Sequence, residues 1–247
     1  MKQSFNVYHC KISLVPLLIF ICLLALLLRL GFWQLSRAHE KRDFLANQQE
    51  MMQRETLPLA NLLADNQELR YRRVLLEGHY DTEHQFLLDN QFNASKVGYL
   101  VLTPFILAAD GQVLMVNRGW VVMNKDRKKL PDITFKPAQG MQTITGIINH
   151  FPQVGMILEG ADEPGKGWPS VVQLVNPLKI KQKLQQSILN FQVQLSAKQP
   201  YGYVREWKIN TRIPPEKHVA YAFQWFALAV TLTFLAFWLS YKAYKND

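Results

Sequence analysis

The residue best placed to do chemistry is His218, which opens an apolar stretch rich in aromatic side chains. The residues that follow it are Val219-Ala220-Tyr221-Ala222-Phe223-Gln224-Trp225-Phe226. Steps of three and four residues put His218, Ala222 and Trp225 on one face of a helix, with Trp225 about 10.5 Å further along the axis. A neutral imidazole is a usual axial ligand of haem iron, and small neighbours let a flat ligand approach. The alternative is that His, Tyr and Trp side chains simply mark the level of the lipid headgroups.

A second group of polar residues surrounds a predicted turn and contains His79, Asp81, His84 and Asp89. Alternate residues of a strand share a face, so His79 and Asp81 could be neighbours. Such a group would suit a metal site or an acid/base pair in a membrane-anchored enzyme, but a solvated hairpin tip explains the same residues. The sequence contains none of the common signatures of serine hydrolases, P-loop proteins, dinucleotide-binding proteins or zinc proteases.

A third candidate is Asn117-Arg118-Gly119-Trp120-Val121, which ends an otherwise apolar strand. A glycine at this position indicates a bulge or a close approach of another backbone segment. The four residues Asn117, Arg118, Gly119 and Trp120 therefore form either a structural bulge with a satisfied arginine or a site that faces a partner or a ligand.

Two apolar stretches bracket the chain and predict where these candidates lie. Ile12–Leu30 carries a single charge, Arg29, and Val219–Leu239 carries none. Each stretch can cross a hydrocarbon core of about 30 Å as a helix. We predict a tail at 1–11, a transmembrane helix at 12–32, a soluble domain at 33–217, a second transmembrane helix at 218–241 and a tail at 242–247.

The first apolar stretch is predicted to be an uncleaved anchor, since it is longer than a signal-peptide core and no small-x-small site follows it. The leader before it lacks arginine, which argues against an organelle transit peptide and favours a bacterial inner membrane. Two spans put both termini on one side. We assign the tails to the cytoplasm and the domain to the periplasm.

Composition excludes several classes of function. The net charge is +9, and the densest basic run, Lys125-Asp126-Arg127-Lys128-Lys129, is short and interrupted, so no nucleic-acid partner is expected. The run is expected to be a solvated loop or a face near anionic lipid headgroups, and the lipid membrane is an expected partner of the chain. The two cysteines, Cys10 and Cys22, lie at or within the first span. The domain therefore has no disulfide, thiolate metal site or cysteine nucleophile.

The central domain is predicted to be α+β, with mostly antiparallel strands in a curved sheet or partial barrel. Asp81-Thr82-Glu83 and Asp110-Gly111 are the two hairpin signals. Gly155–Pro169 is predicted to be a loop. The predicted helices are Gln34–Glu55, Pro58–Ala64 and the amphipathic Leu178–Leu189, and the predicted strands are Tyr71–Tyr80, His84–Asp89, Val97–Leu107, Gln112–Val122, Gln142–Phe151 and Asn190–Ser196.

Several ordered segments together resemble the Surfeit-locus family of cytochrome c oxidase assembly proteins, as a bacterial member. No single segment is diagnostic, but their order and spacing cover the chain nearly end to end. The segments are Leu30-Gly31-Phe32-Trp33-Gln34-Leu35 with Arg37 and Lys41, Gly78-His79-Tyr80, Gly98-Tyr99 with Thr103-Pro104-Phe105, Val116-Asn117-Arg118-Gly119-Trp120-Val121, and His218 with Tyr221-Ala222 and Trp225-Phe226.

The resemblance implies an assembly factor or chaperone without catalytic turnover. It implies a role in maturation of oxidase subunit I, with haem a as a transient cofactor and haem a synthase as a further partner. It also implies that His218 ligates the haem iron, with Tyr221 and Trp225 shaping the pocket. Arg118 and Trp120 match the family's central motif, where they would touch either haem or the oxidase, and we predict Asn117–Trp120 as the partner-binding segment. The family commonly has asparagine just before this histidine, whereas this chain has Lys217. A haem-independent chaperone of nascent oxidase subunits is the alternative.

Overall fold

The computed structural model describes residues 14–65, 68–152, 159–207 and 213–246, which belong to two compact units. One unit comprises residues 1–47 with 209–247, and the other comprises residues 48–208. The fold class is α+β, as predicted. The elements are the helices α1 (Leu14–Gln53), α2 (Leu59–Ala64), α3 (Pro177–Leu184) and α4 (Pro215–Asn246), and the strands β1 (Leu57–Pro58), β2 (Arg73–Tyr80), β3 (Phe86–Asn93), β4 (Lys96–Leu107), β5 (Val113–Val122), β6 (Gln142–Asn149), β7 (Ser170–Val172) and β8 (Ile188–Leu195).

The first unit is built from α1 and α4, which are each long and apolar enough to cross a membrane. α1 has 40 residues, about twice the length that a span requires. The prediction that Gln34–Glu55 continues the first helix is therefore confirmed to within two residues. Because each helix runs past its apolar stretch without a break, the predicted ends of the spans at 32 and 218 stay predictions.

The second unit is an eight-stranded sheet in the order β1-β2-β6-β8-β5-β4-β3-β7, with an additional pairing of β2 with β4. That pairing joins Gly78 to Leu107 and Tyr80 to Phe105, and it closes β2, β6, β8, β5 and β4 into a ring. The parallel pairs are β1–β2, β3–β7 and β5–β8. The prediction of a mostly antiparallel, barrel-like sheet is confirmed.

The hairpin predicted at Asp81–Glu83 is wrong, because the strands on either side of it do not pair with each other. Both pair with β4 instead, since Tyr80 lies opposite Phe105 and Phe86 lies opposite Leu102. β4 has 12 residues and is long enough to carry both partners. The hairpin at Asp110-Gly111 is confirmed, with Ile106 opposite Val113.

The predicted helix Leu178–Leu189 is too long. α3 begins behind an N-cap at Asn176, whose side chain accepts a hydrogen bond from the Leu178 amide, and ends at Leu184. Gln185 then adopts a left-handed conformation. Ile188 begins β8, where it lies opposite Val113, because pairing with the buried β5 satisfies its backbone.

The predicted loop Gly155–Pro169 is only partly visible, since residues 153–158 lie outside the described residues. Residues 159–169 form turns, and β7 follows at once. β7 and β1 were not predicted, because three and two residues are too short for a periodic pattern.

The main core fills the ring of strands. Leu76, Phe105, Leu114 and Leu195 are at most 1% exposed and pack together there. This interior holds the strands in the positions that bring Arg118 into contact with distant segments.

Candidate functional site

His218 lies in the first turn of α4, and its ring is hydrogen bonded to a residue of α1. The distance from His218 Nδ1 to Gln34 Oε1 is 2.7 Å, and both side chains are half-buried. The two residues are 184 positions apart in the chain. The helix pair therefore holds the imidazole through an amide that sequence reasoning did not identify.

Close packing beside this hydrogen bond depends on small residues. Gly31 is buried, and a Cβ atom placed on it would lie 2.6 Å from the ring of Phe226. The same ring meets Phe32 edge to face, with 5.3 Å between ring centroids. Ala222 is 1% exposed, as expected for a small residue at a contact between helices.

The two aromatic residues predicted to shape a pocket lie on the His218 side of α4. Tyr221 and Trp225 follow His218 by three and seven residues, a spacing that keeps them on one face. Tyr221 is 48% exposed and Trp225 is half-buried. Among the contacts of the described residues, none joins either ring to the imidazole, so their role stays a prediction.

An apolar groove of about 410 Å³ runs along the same helix pair. Leu24 and Leu28 of α1 line one wall, and Phe226, Ala229 and Phe237 of α4 belong to the other. Phe226 therefore contributes both to the groove and to the contact with Gly31. The α4 side of the groove begins at Phe226, eight residues after His218 and about 12 Å further along the helix axis.

The residues at this site suit a haem iron. Histidines that bind metals usually donate their second ring nitrogen to a carbonyl or carboxylate, which fixes the tautomer and the ring orientation. Gln34 Oε1 occupies the acceptor position at Nδ1 and leaves Nε2 free for a ligand. Aromatic and aliphatic side chains nearby suit the faces of a porphyrin.

The Asn117–Trp120 segment forms a bulge, as one of its two interpretations predicted. The register between β4 and β5 shifts between Leu100, which faces Trp120, and Leu102, which faces Asn117. Gly119 has a φ of +111°, and a Cβ atom there would lie 2.7 Å from the carbonyl oxygen of Val204. The close approach of another backbone segment therefore requires the glycine.

Arg118 points into the domain and is fully buried. Its guanidinium donates to Thr103 Oγ1 at 2.9 Å, Gln85 Oε1 at 2.8 Å, and the carbonyl oxygens of Tyr201 and Ile133 at 2.9 and 3.1 Å. The ring of Phe135 stacks 3.7 Å from the guanidinium carbon. All four hydrogen bonds end on uncharged oxygens, so burial lowers the pKa of Arg118 from its ordinary value.

The neighbours of Arg118 in the bulge are also held within the fold. The Asn117 side chain is fully buried, donates to Gln192 Oε1 at 2.9 Å and accepts from the Gly119 amide. Trp120 is half-buried, and its indole donates to the Gln91 carbonyl at 2.8 Å. Within this segment Trp120 has the side chain most accessible to a partner.

The model of the SURF1 family matches residues 21–230. This chain belongs to the SURF1 family. It is 27% identical to a SURF1-like protein of Rickettsia bellii, over 96% of this chain and 92% of that protein. It is 31% identical over 106 residues to the Cytochrome oxidase assembly protein SHY1 of Saccharomyces cerevisiae, covering 42% of this chain and 26% of that protein. A further relative is Surfeit locus protein 1 of Gallus gallus, with 32% identity over 39% of this chain and 36% of that protein.

The polar cluster at His79 is not assembled in this SURF1-family chain as a metal site would require. His84 Nδ1 contacts Asp81 Oδ2 at 2.7 Å, but His79 is exposed on β2 and has no described contact with either. Asp81 also accepts the Glu83 and His84 amides, which is the role of a turn residue. The described residues contain no group of three or more His, Cys, Asp or Glu side chains that could hold a metal ion.

Sequence reasoning gave no role to three residues that the structure brings into these sites, Gln34, Gln85 and Thr103, although Gln34 and Thr103 lie in segments that carry the family resemblance. Gln85 and Thr103 are buried polar residues beside or within apolar strands, and the Thr103 hydroxyl also lies 3.0 Å from Gln85 Oε1. A polar residue in an apolar strand was the available signal, since it needs a buried partner. Gln34 stands in the segment Gly31-Phe32-Trp33-Gln34-Leu35, but nothing in the sequence predicts that its partner is His218.

Proposed function

We propose that this SURF1-family chain is a cytochrome c oxidase assembly factor without catalytic turnover, which assists maturation of subunit I by binding or delivering haem a. Family membership supports the assembly role, since the yeast relative is named for cytochrome oxidase assembly. The hydrogen bond between His218 and Gln34 is the observation that carries the haem-binding part. Subunit I, and haem a synthase as a source of the haem, are the proposed partners.

The proposed location is a bacterial inner membrane, crossed twice, with the central domain in the periplasm and both termini in the cytoplasm. Two candidate spanning helices support the membrane location. The match to a bacterial SURF1-like protein over 96% of the chain supports the bacterial membrane. This arrangement puts His218 at the periplasmic end of α4, close to the membrane surface.

The chain's own groups would then divide the work. His218 would offer Nε2 as a ligand to the iron, while Gln34 holds Nδ1. Tyr221 and Trp225 would shape the pocket on the His218 side of α4, and the apolar groove along α1 and α4 would shield the hydrophobic parts of the ligand from water. When bound, haem a would supply an iron that can accept the imidazole nitrogen as a ligand.

The test is the reduced-minus-oxidised absorption spectrum of membranes from cells that lack this chain, beside the same cells complemented. We expect the haem a band to weaken without the chain and to return with the intact chain. His218→Ala should insert in the membrane but retain no haem on purification. An undiminished haem a band with normal oxidase activity would contradict the assembly role, and unchanged haem retention in His218→Ala would contradict the haem role alone.

A haem-independent chaperone of nascent oxidase subunits is the second candidate, favoured by an apolar surface beside the bulge. Val122 and Val204 are 51% and 45% exposed, and Trp120 pairs with Val204 through backbone hydrogen bonds. Trp120→Ala should release the oxidase subunit in a co-purification, whereas Trp168→Ala, a tryptophan on another part of the domain, should not. Intact co-purification with Trp120→Ala would count against this candidate.

A further inference from the structure

The hydrogen bond between α1 and α4 has a direction that follows from the groups involved. An amide oxygen can only accept a hydrogen bond, so the contact between Gln34 Oε1 and His218 Nδ1 requires a proton on Nδ1. In a neutral imidazole the other nitrogen, Nε2, then carries the free lone pair. The tautomer that leaves Nε2 available to a ligand is thus the one that this contact selects.

The geometry around Gln34 makes it suited to orient a ring. Gly31 precedes Gln34 by three residues and lies on the same face of α1. The missing side chain of Gly31 lets Phe226 approach to a distance that no Cβ atom would permit. The contact between Gly31 and Phe226 therefore sets the spacing of the two helices, about one turn of α1 away from the hydrogen bond.

The residues beside His218 in α4 do not offer a substitute for Gln34. Glu216 and Lys217 directly precede it, and both are exposed. Neither has a described hydrogen bond to the imidazole. The amide that meets the ring comes from the other helix, 184 residues earlier in the chain.

We infer that Gln34 is a positioning residue for His218: it fixes the Nδ1–H tautomer and the ring orientation, and so keeps Nε2 free to bind a ligand. The identity of that ligand as haem rests on the proposed function. The tautomer itself does not, because it belongs to the protein without any ligand. The two parts can therefore be tested separately.

The first experiment measures the tautomer in the full-length chain, purified in detergent without haem and labelled with ¹⁵N-histidine. Two-bond ¹H–¹⁵N spectra at alkaline pH distinguish the two neutral forms, and the His218 signals are assigned by their loss in His218→Ala. We expect the Nδ1–H form in the original chain and in Gln34→Glu, which keeps an acceptor. Gln34→Leu should shift the population toward the Nε2–H form. Gln49→Leu, the same change at an exposed position of α1, should leave the spectrum unchanged.

The second experiment titrates the same proteins with haem a and follows the Soret band. Loss of a hydrogen bond to a metal-ligating histidine typically lowers affinity about 10–100-fold, so we expect that loss for Gln34→Leu. Gln34→Glu should bind within a few-fold of the original chain and show a lower reduction potential, because a carboxylate increases the electron density on the ring.

The outcomes separate the inference from the function on which it rests. If Gln34→Leu keeps the original tautomer and the original affinity, the positioning role of Gln34 is wrong. If His218→Ala binds haem a as well as the original chain, the haem role of His218 is wrong, while the tautomer measurement still decides what Gln34 does. A variant that fails to insert in the membrane is recognised beforehand, and Gln34→Glu then decides the question through its potential.

Discussion

At the scale of single residues, the most unusual group in the domain is a buried cation. Arg118 is fully buried, and its charge is stabilised by four hydrogen bonds to uncharged oxygens and by the faces of Phe135 and Tyr203. A desolvated charge is costly unless its donors are satisfied. The planar fork of arginine suits this arrangement because it can serve several acceptors at once.

Arg118→Met should lower the free energy of unfolding by about 3 kcal/mol or more, because it removes four hydrogen bonds and takes the guanidinium donor away from Thr103 Oγ1 and the Tyr201 carbonyl oxygen. Arg118→Lys should recover only part of the loss, since an ammonium cannot reproduce the fork. Arg127→Met, at an exposed arginine, is the control. The midpoints of urea unfolding are compared for the detergent-solubilised variants by tryptophan fluorescence. Equal midpoints for Arg118→Met and Arg127→Met would contradict a stabilising role of the buried arginine.

Tyr80 gives the domain a dependence on alkaline pH. Burial raises the pKa of Tyr80 from 10.0 to about 12, and its hydroxyl has no hydrogen-bond partner among the described residues. The folded domain holds the phenol proton more tightly than the unfolded chain. The resulting stabilisation is complete below about pH 10 and is lost as the pH rises toward 12.

We expect the free energy of unfolding to fall by about 2–3 kcal/mol over that interval through this group alone. Tyr80→Phe should remove this part of the pH dependence and cost little at neutral pH, because no hydrogen bond is lost. The measurement is the difference in free energy of unfolding between the original chain and Tyr80→Phe at each pH. The contributions of the other titrating groups cancel in this difference. Parallel curves from pH 9 to 12 would show that Tyr80 is not responsible.

At the scale of elements, the bulge in β5 turns the chain so that its arginine faces inward. Gly119 permits this turn, and the Trp120 amide bonds to the Val204 carbonyl at 2.8 Å immediately after it. The bulge thus places two nearby side chains in different environments: Arg118 is buried, and Trp120 stays partly accessible.

Gly119→Ala should destabilise the domain by about 3 kcal/mol, since it adds a steric conflict with the Val204 carbonyl to an unfavourable φ. Gly111→Ala is a matched control, because Gly111 also has a positive φ, +70°, but a Cβ atom there would meet nothing within 4 Å. Its cost should be about 1–2 kcal/mol. Thermal unfolding of both variants is the measurement, and equal costs would mean that the close approach to Val204 is unimportant.

The sequence was informative where local patterns decide the element. The long apolar runs identified α1 and α4, and Asp110-Gly111 identified the turn between β4 and β5. The sequence was also sufficient to single out His218 and the Gly119 bulge. It could not show that β2 and β3 both pair with β4, or that Gln34 contacts His218. Such contacts depend on how segments distant in the chain pack together, and they produce no periodic pattern in the sequence.

At the scale of the whole molecule, the two units make the proposed orientation testable by labelling. In a chain with Cys10→Ser and Cys22→Ala, Met141→Cys introduces a thiol at a side chain that is 69% exposed in the domain. A membrane-impermeant maleimide should label it in intact spheroplasts. Lys245→Cys, near the end of α4, should react only after the membrane is permeabilised. The opposite pattern would place the domain in the cytoplasm.

The closed ring of strands limits how this domain can meet an unfolded partner. The sheet ends at β1 and β7, which have two and three residues, and the register of β3 is interrupted between Leu88 and Gln91. Short or irregular edges give an incoming chain few backbone groups to pair with. A segment of another protein would therefore find few regularly spaced backbone groups for adding a strand to this sheet. Recognition would depend on side chains and helix faces, and the domain could remain at a crowded membrane without templating aggregation.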